Sequence, residues 1–301
     1  MRSLQTQLLY RLSNKRSAPY LFIAPFFLLF LSFWIYPVFY SLYLSFFSAT
    51  GLGPRTFVAL DNYTRLVGDG RFIRSVINTS TYAAASVFIL APLALMVAIA
   101  LNSSYTRYLK NLYRLIYFIP VITSGVVIGI MFGVVFDYAY GLLNNFIARI
   151  GIEPIPWIRS SQWALRSIIL LGIWIWLGLN SLYFLAGLQN IPNEFYESAI
   201  IDGANAPQRF RFITLPMLRP VTMFVVIQAI IGSYILFDQV WVLTAGGPQD
   251  STLTMTIYLY LIGFRQFRLG YASAIAYSLV FIVLGLTLVV LLVFRKFGDD
   301  V

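Results

Sequence analysis

Hydrophobic positions in this chain are gathered into long uncharged runs, and the charged residues fall in short stretches between them. A helix needs about 20 consecutive apolar residues to cross the hydrocarbon core of a bilayer. Six runs meet that length: Tyr20 to Phe47, Ser75 to Leu101, Leu115 to Phe136, Ser167 to Leu188, Val221 to Ala245 and Tyr271 to Phe294. The first is too long for a signal peptide, and its Trp34-Ile35-Tyr36-Pro37 element predicts a kinked helix that stays in the protein. A further apolar run, Ser251 to Phe264, has only fourteen residues and predicts a short interfacial or re-entrant helix on the non-cytoplasmic side.

Composition supports this pattern. Of 301 residues, 59% are hydrophobic and 11% charged, against about 25% charged in a soluble domain. The expected architecture is all-α and integral to the membrane, with one six-span domain over residues 20–294. It is flanked by a cytoplasmic N-terminal segment, 1–19, and a cytoplasmic tail, 295–301. The chain has no Cys and no His, which excludes thiol catalysis, imidazole bases, thiolate metal sites and disulfides. The net charge of +10 comes from scattered Arg and Lys without interleaved aromatics, so no nucleic-acid surface is predicted. Basic loops beside membrane lipid account for it. Arg2, Arg11, Lys15 and Arg16, then Arg107, Lys110 and Arg114, form two acid-free clusters that place both segments in the cytoplasm. An even number of spans then returns Arg295 and Lys296 to the same side, although the opposite loops also carry arginines such as Arg55, Arg65 and Arg159.

One long stretch breaks the greasy pattern: NEFYESAIIDGANAPQRFRFITLPMLRP, which starts at Asn193 and ends at Pro220. Asn193 is a candidate cap for a helix with Glu194 and Glu197 near its positive end. Gly203 supplies the permissive backbone where that helix stops. Asn205 and Pro207 start a second short helix, which Pro216 ends or bends. The spacing puts Phe195, Ala199 and Ile200 near one face, with Glu197, Ser198 and Asp202 turned away. Such a helix either rests its apolar side on headgroups or fits a groove on a soluble partner.

The spacing of Glu197-Ser198-Ala199, Gly203, Ile213, Leu215 and Pro216 resembles the EAA loop of permease subunits of bacterial ABC importers. That pattern is Glu-Ala-Ala, three residues, Gly, nine residues, Ile, any residue, Leu, Pro, and the one departure is Ser198 at the first Ala. The segments 23–46, 242–264 and 270–281 are similar to the carbohydrate-uptake branch of that family, the permeases for maltose, other oligosaccharides and glycerol phosphate. The resemblance implies the type I importer permease fold in a bacterial inner membrane, with residues 193–216 as the coupling loop. It implies four kinds of partner: a second homologous permease, two ABC ATPases, an extracytoplasmic solute-binding protein and membrane lipid. It also implies that Glu197, Ser198, Ala199, Asp202, Gly203, Ile213, Leu215 and Pro216 receive the ATPase stroke in an alternating-access cycle. ATP and Mg would bind the partner ATPases, because a P-loop needs a lysine after glycine and Lys15, Lys110 and Lys296 all lack one.

A neutral sugar needs uncharged hydrogen-bonding groups and aromatic faces. The fourth span offers Trp174, Trp176, Asn180, Ser181 and Tyr183, and the fifth offers Gln228, Ser233, Tyr234 and Asp238. Polar groups at membrane depth face protein or water, so these residues either line a path or pack helices together. Asp238, the one acid inside a predicted span, suits a structural or gating role more than direct solute contact. The polar cluster Asn78 to Tyr82 in the second span has no assigned role at this point. Two other classes compete. An intramembrane enzyme would need a nucleophile with its base, or paired acids, and the spans hold neither. A stand-alone channel or secondary carrier would need no ATPase-docking loop. A glycerol-phosphate-like solute would favour cationic groups in the path, and none lies inside a span.

Overall fold

In the computed structural model, residues 18–51, 53–102 and 119–296 are described, and helix dominates them. Hydrocarbon offers no water to bond the backbone, so a spanning segment must satisfy its own amides, as a helix does. In chain order the helices are α1 (Pro19–Ser45), α2 (Asp61–Gly68), α3 (Gly70–Asn102), α4 (Gly125–Val135), α5 (Leu142–Arg149) and α6 (Ala164–Gln189). They continue as α7 (Asn193–Ile201), α8 (Ala206–Met217), α9 (Arg219–Tyr234), α10 (Asp238–Thr244), α11 (Met255–Tyr260) and α12 (Leu269–Lys296). Four of these, α1, α3, α6 and α12, are individually long and apolar enough to cross a bilayer.

The remaining two expected spans differ from a single straight helix. Residues 115–118 of the third lie outside the described residues, and the described remainder includes α4. The fifth, expected as one run from Val221 to Ala245, breaks after Tyr234 and resumes as α10 at Asp238. At its other end α9 meets α8 at a bend of 65°. The charge clusters Arg2, Arg11, Lys15 and Arg16, and Arg107, Lys110 and Arg114, also lie outside the described residues, as does the tail beyond Lys296.

Prolines explain most of the helix irregularities. Three π-helical turns, Leu31–Ile35, Ser86–Leu90 and Phe210–Thr214, each end two residues before a proline: Pro37, Pro92 and Pro216. Proline has no N–H and its ring crowds the carbonyl four residues back. The ladder shifts by one residue just ahead of it, so that Tyr36, Ala91 and Leu215 each donate to the carbonyl five residues earlier.

The chain divides into two compact units, one running to Thr64 and including Ile262–Tyr277, the other Arg65–Leu261 with the chain from Ser278 on. In the first, a two-residue hairpin pairs Phe47 with Phe57 and Ser48 with Thr56. The Asn62 amide locks the turn below α1 by donating to the carbonyls of Ser45 at 2.8 Å and Phe47 at 3.0 Å. Gly270 fits because a Cβ there would stand 1.9 Å from the Phe47 carbonyl oxygen.

The second unit holds the packed helices. Ala91, Ala94 and Ala98 of α3 share a buried cluster with Phe184, Leu185 and Leu188 of α6. Small residues let the two backbones approach closely. Gly172 and Gly187 do the same: a Cβ at Gly172 would lie 1.9 Å from the Tyr82 hydroxyl, and one at Gly187 would lie 2.8 Å from Val221. The connection after α4 is pinned by buried Asn144. Its side-chain oxygen accepts from Ile155 N–H at 3.0 Å and Trp157 Nε1–H at 2.9 Å, and its amide donates to the Tyr138 and Ile155 carbonyls, each at 3.0 Å.

The fourteen-residue apolar run contains a short helix. Its α-helix starts at Met255, capped by Thr254, and Leu253, Met255 and Ile257 are fully buried within the fold. The unassigned cluster on α3 holds this segment in place. Asn78 donates to the carbonyls of Asp250 at 2.9 Å and Leu253 at 3.0 Å, Thr79 accepts from Met255 N–H at 3.1 Å, and Arg71 makes a two-pronged pair with Asp250 at 2.7 and 2.8 Å.

Candidate functional site

Two features stand out from the packed helices. The first is a cavity of about 230 Å³ between α3, α6 and α9. Trp176, Asn180 and Tyr183 enter it from α6; their spacing of four and then three residues puts them on one helical face. Gln228 and Ser233 enter from α9, and Tyr82 and Ser86 from α3. Every polar lining group is uncharged. Asn180 donates to the Trp176 carbonyl at 2.8 Å, and among the described residues its side-chain oxygen has no partner. Tyr183 stands edge-on to Phe224 with ring centres 5.1 Å apart. Ser233 donates to the Ala229 carbonyl at 2.6 Å and also meets Ser86 at 3.3 Å, tying α9 to α3.

The other sequence candidates lie elsewhere. Trp174 is turned about 200° around the helix from Trp176 and packs on Phe132 at 5.1 Å. Ser181 is 1% exposed and bonds back to the Leu177 carbonyl, so it serves close helix packing. Tyr234 is buried with its hydroxyl 2.8 Å from Ser80. Asp238 is exposed at the head of α10, where its Cβ stands 3.2 Å from the position of a Cβ on Gly125. None of these four lines the cavity. Tyr82 and Ser86 were missed as lining groups, although their i, i+4 spacing inside an apolar run is the same signal that marks Trp176 and Asn180.

The second feature is the helix-turn-helix of α7 and α8. Asn193 is the first helical residue instead of the cap, since Pro192 occupies the cap position. At the other end Gly203 has φ +79°. Its N–H reaches the Ile200 carbonyl at 3.0 Å, and the Ala204 N–H reaches the Ala199 carbonyl at 2.8 Å. This is the paired closure that a left-handed residue permits, and glycine adopts it without steric cost. Asn205 and Gln208 then cap α8 reciprocally, side chain to backbone, at 3.0 and 2.7 Å. The Tyr196 hydroxyl meets Thr214 Oγ1 at 2.9 Å, fastening α7 to α8, and Tyr196 and Ile213 pack on the cluster shared by α3 and α6.

The inward face of α7 differs from the expected one. Tyr196 and Ala199, three residues apart, are the half-buried positions, while Phe195 and Ile200 are exposed together with Glu197, Ser198 and Asp202. Phe195 is 50% exposed and Ile201 85%. Leu215 is exposed and Pro216 half-buried, just ahead of the bend into α9.

A membrane-embedded helical protein with a polar-lined cavity, and with a charged helix-turn-helix joining the helices that form it, is built as a transport subunit. The family model described as "Binding-protein-dependent transport system inner membrane component" matches residues 91–298, and the chain belongs to that family. It is 38% identical over 289 residues, 95% of this chain and 91% of the relative, to the arabinooligosaccharides transport system permease protein AraP of Bacillus subtilis (strain 168). It is also 38% identical to the lactose transport system permease protein LacF of Rhizobium radiobacter, covering 88% of this chain and 89% of that one. The fold matches, with a TM-score of 0.82, 22% identity and coverage of 94% and 96%, a chain of the bacterial alginate ABC transporter solved in complex with alginate pentasaccharide-bound periplasmic protein. The chain is a transport permease of the membrane, not an enzyme.

Proposed function

We propose that this permease forms one half of the translocation path for a neutral sugar or oligosaccharide in an ATP-driven importer. A second, homologous permease supplies the other half. Two ABC ATPases bind ATP and Mg and grip the loop 193–216. An extracytoplasmic binding protein delivers the solute. In this reading the chain sits in a bacterial inner membrane with both termini on the ATPase side, the side of its acid-free basic clusters.

The observation that carries the reading is the continuity between cavity and loop. Asn180 stands nine residues, about 14 Å, before the end of α6 at Gln189, and α7 begins four residues later. Gln228 stands nine residues after the start of α9, which α8 enters through the 65° bend. Any movement of the helix-turn-helix pulls on two walls of the cavity at once. Glu197, Ser198, Ala199, Asp202, Gly203, Ile213, Leu215 and Pro216 take the ATPase stroke, with Gly203 fixing the turn and Ile213 rooting the loop. Exposed Phe195 and Ile201 give the ATPase groove an apolar contact that water alone would not favour. Trp176, Asn180, Tyr183, Gln228 and Ser233 offer rings and uncharged hydrogen bonds to the solute, while Trp174, Ser181, Tyr234 and Asp238 act on helix packing and gating.

The relatives named for arabinooligosaccharide and lactose transport support a sugar over a glycerol-phosphate-like solute, as does a lining without Arg or Lys among the described residues. Proteoliposomes carrying the full complex are the test. Uptake of labelled lactose or arabinooligosaccharide should require ATP and the binding protein. Uptake of glycerol phosphate in preference to either sugar, or sugar uptake without ATP, would refute the reading.

A further inference from the structure

A second cavity, of about 380 Å³, opens where α3 and α6 end and α7 and α8 fold back, lined in part by Asn102, Leu188, Tyr196, Arg209, Phe210 and Thr214. Asn102 is the last residue of α3, Leu188 lies one residue from the end of α6, and α8 leads into α9. The ends of apolar spans mark the level at which acyl chains give way to headgroups, so the cavity sits at a membrane surface, whichever side that surface faces. Arg209 is half-buried, and among the described residues its guanidinium has no carboxylate partner. The residues between Asn102 and Ile119 contain no Asp or Glu to supply one, and Ala206 to Arg219 contains Arg209, Arg211 and Arg219 with no acid. Ile99, Leu188, Ala206 and Phe210 give the wall an apolar side, and Asn102, Tyr196 and Thr214 add uncharged polar groups.

We propose that this cavity holds the phosphodiester headgroup of an anionic phospholipid. Arg209 donates to the phosphate oxygens through its planar fork, and the glycerol end of the chains lies on Phe210 and Leu188. The apolar wall is what favours a lipid over free phosphate. A headgroup here is wedged between the end of α3 and the foot of the helix-turn-helix, so the lipid composition of the membrane tunes how firmly α7 and α8 are seated.

The test uses the assembled complex in nanodiscs of phosphatidylcholine with one-fifth phosphatidylglycerol, including a trace of photo-crosslinkable phosphatidylglycerol. Adducts should map to peptides around Asn102, Tyr196 and Ala206 to Thr214. Arg209→Gln should lower their yield about five-fold, the effect of one cation at an anionic surface, while Arg209→Lys and Arg211→Gln keep most of it. Ala206→Phe, which narrows the cavity and keeps the charge, should lower the yield as well, and it decides the matter if Arg209→Gln does not assemble. Yields unchanged in the assembled variants, or adducts displaced by inorganic phosphate but not by unlabelled phosphatidylglycerol, would overturn the proposal. The adduct reports lipid occupancy whether or not the complex moves sugar, so this result stands apart from the transport assay.

Discussion

The cavity and the helix-turn-helix reverse one another's chemistry. Between α3, α6 and α9, among apolar spans, Asn180 is only 7% exposed and stands with Ser86, Ser233 and the tyrosines on an inward wall. On α7, in the charged stretch between two apolar spans, Phe195 and Ile201 point outward at 50% and 85% exposure. Folding alone favours neither choice. Polar groups in hydrocarbon and apolar groups in water each cost free energy, and the proposed function accounts for both inversions by contacts outside the chain: a polar solute in one place, a soluble protein in the other.

The largest expected effect comes from removing the inversion on α7. Ile201→Asp would bury a charge in the ATPase groove, a loss of about 3 kcal/mol and over 100-fold in affinity. Copurification of the ATPases should fail while the permease pair remains assembled. Gly203→Val tests geometry without chemistry, because no neighbouring atom lies within 4 Å of a Cβ there. Holding a β-branched residue at φ +79° costs about 1–2 kcal/mol, and ATP-driven uptake should fall roughly ten-fold with ATP hydrolysis uncoupled from it.

The cavity side of the comparison is sharpened by two tryptophans two residues apart. Trp176→Ala removes a ring from the lining and should raise the transport KM for sugar about five-fold, the worth of about 1 kcal/mol of aromatic contact. Trp174→Ala, which loses packing on Phe132, should lower the Tm and leave that KM within two-fold. Equal KM effects would dissolve the distinction between lining and packing.

The smallest effect lies outside both regions. The Asp137 carboxylate accepts from the backbone N–H groups of Tyr140 and Ala139, with Arg159 adding to them, and is held below the usual carboxylate range. A depressed pKa adds stability above the unfolded value of about 4 and loses it as pH falls through the folded one. Asp137→Asn should therefore lower the Tm slightly at neutral pH, with the difference from wild type shrinking below pH 4, as followed by thermal unfolding.

Much of this arrangement is legible in the sequence, and the rest fails for identifiable reasons. Uncharged length marks α1, α3, α6 and α12, because lipid imposes one simple demand along a whole span. The turn at Gly203 and the Asn205 cap are legible because backbone geometry dictates them locally. The face of α7 is not, since Tyr196 turns inward to meet Thr214 and the core, a tertiary demand absent from local amphipathicity. The break after Tyr234 is hidden in a continuous apolar run. Asn78 and Thr79 look like anonymous polar residues until the loop they anchor, some 170 positions later in the chain, is in place.

The claim that the helix-turn-helix drives the cavity has a direct test, helped by a chain without cysteine. With cysteine-free partners, Gln228→Cys places a single thiol in the cavity wall. Its labelling by a membrane-impermeant maleimide is then measured from each side of reconstituted vesicles, with and without ATP and vanadate. Labelling should move from one side to the other when ATP is trapped, and Gly203→Val should abolish the move while the ATP-free labelling persists. Labelling that ignores nucleotide, or that still switches sides in the Gly203→Val background, would contradict that claim.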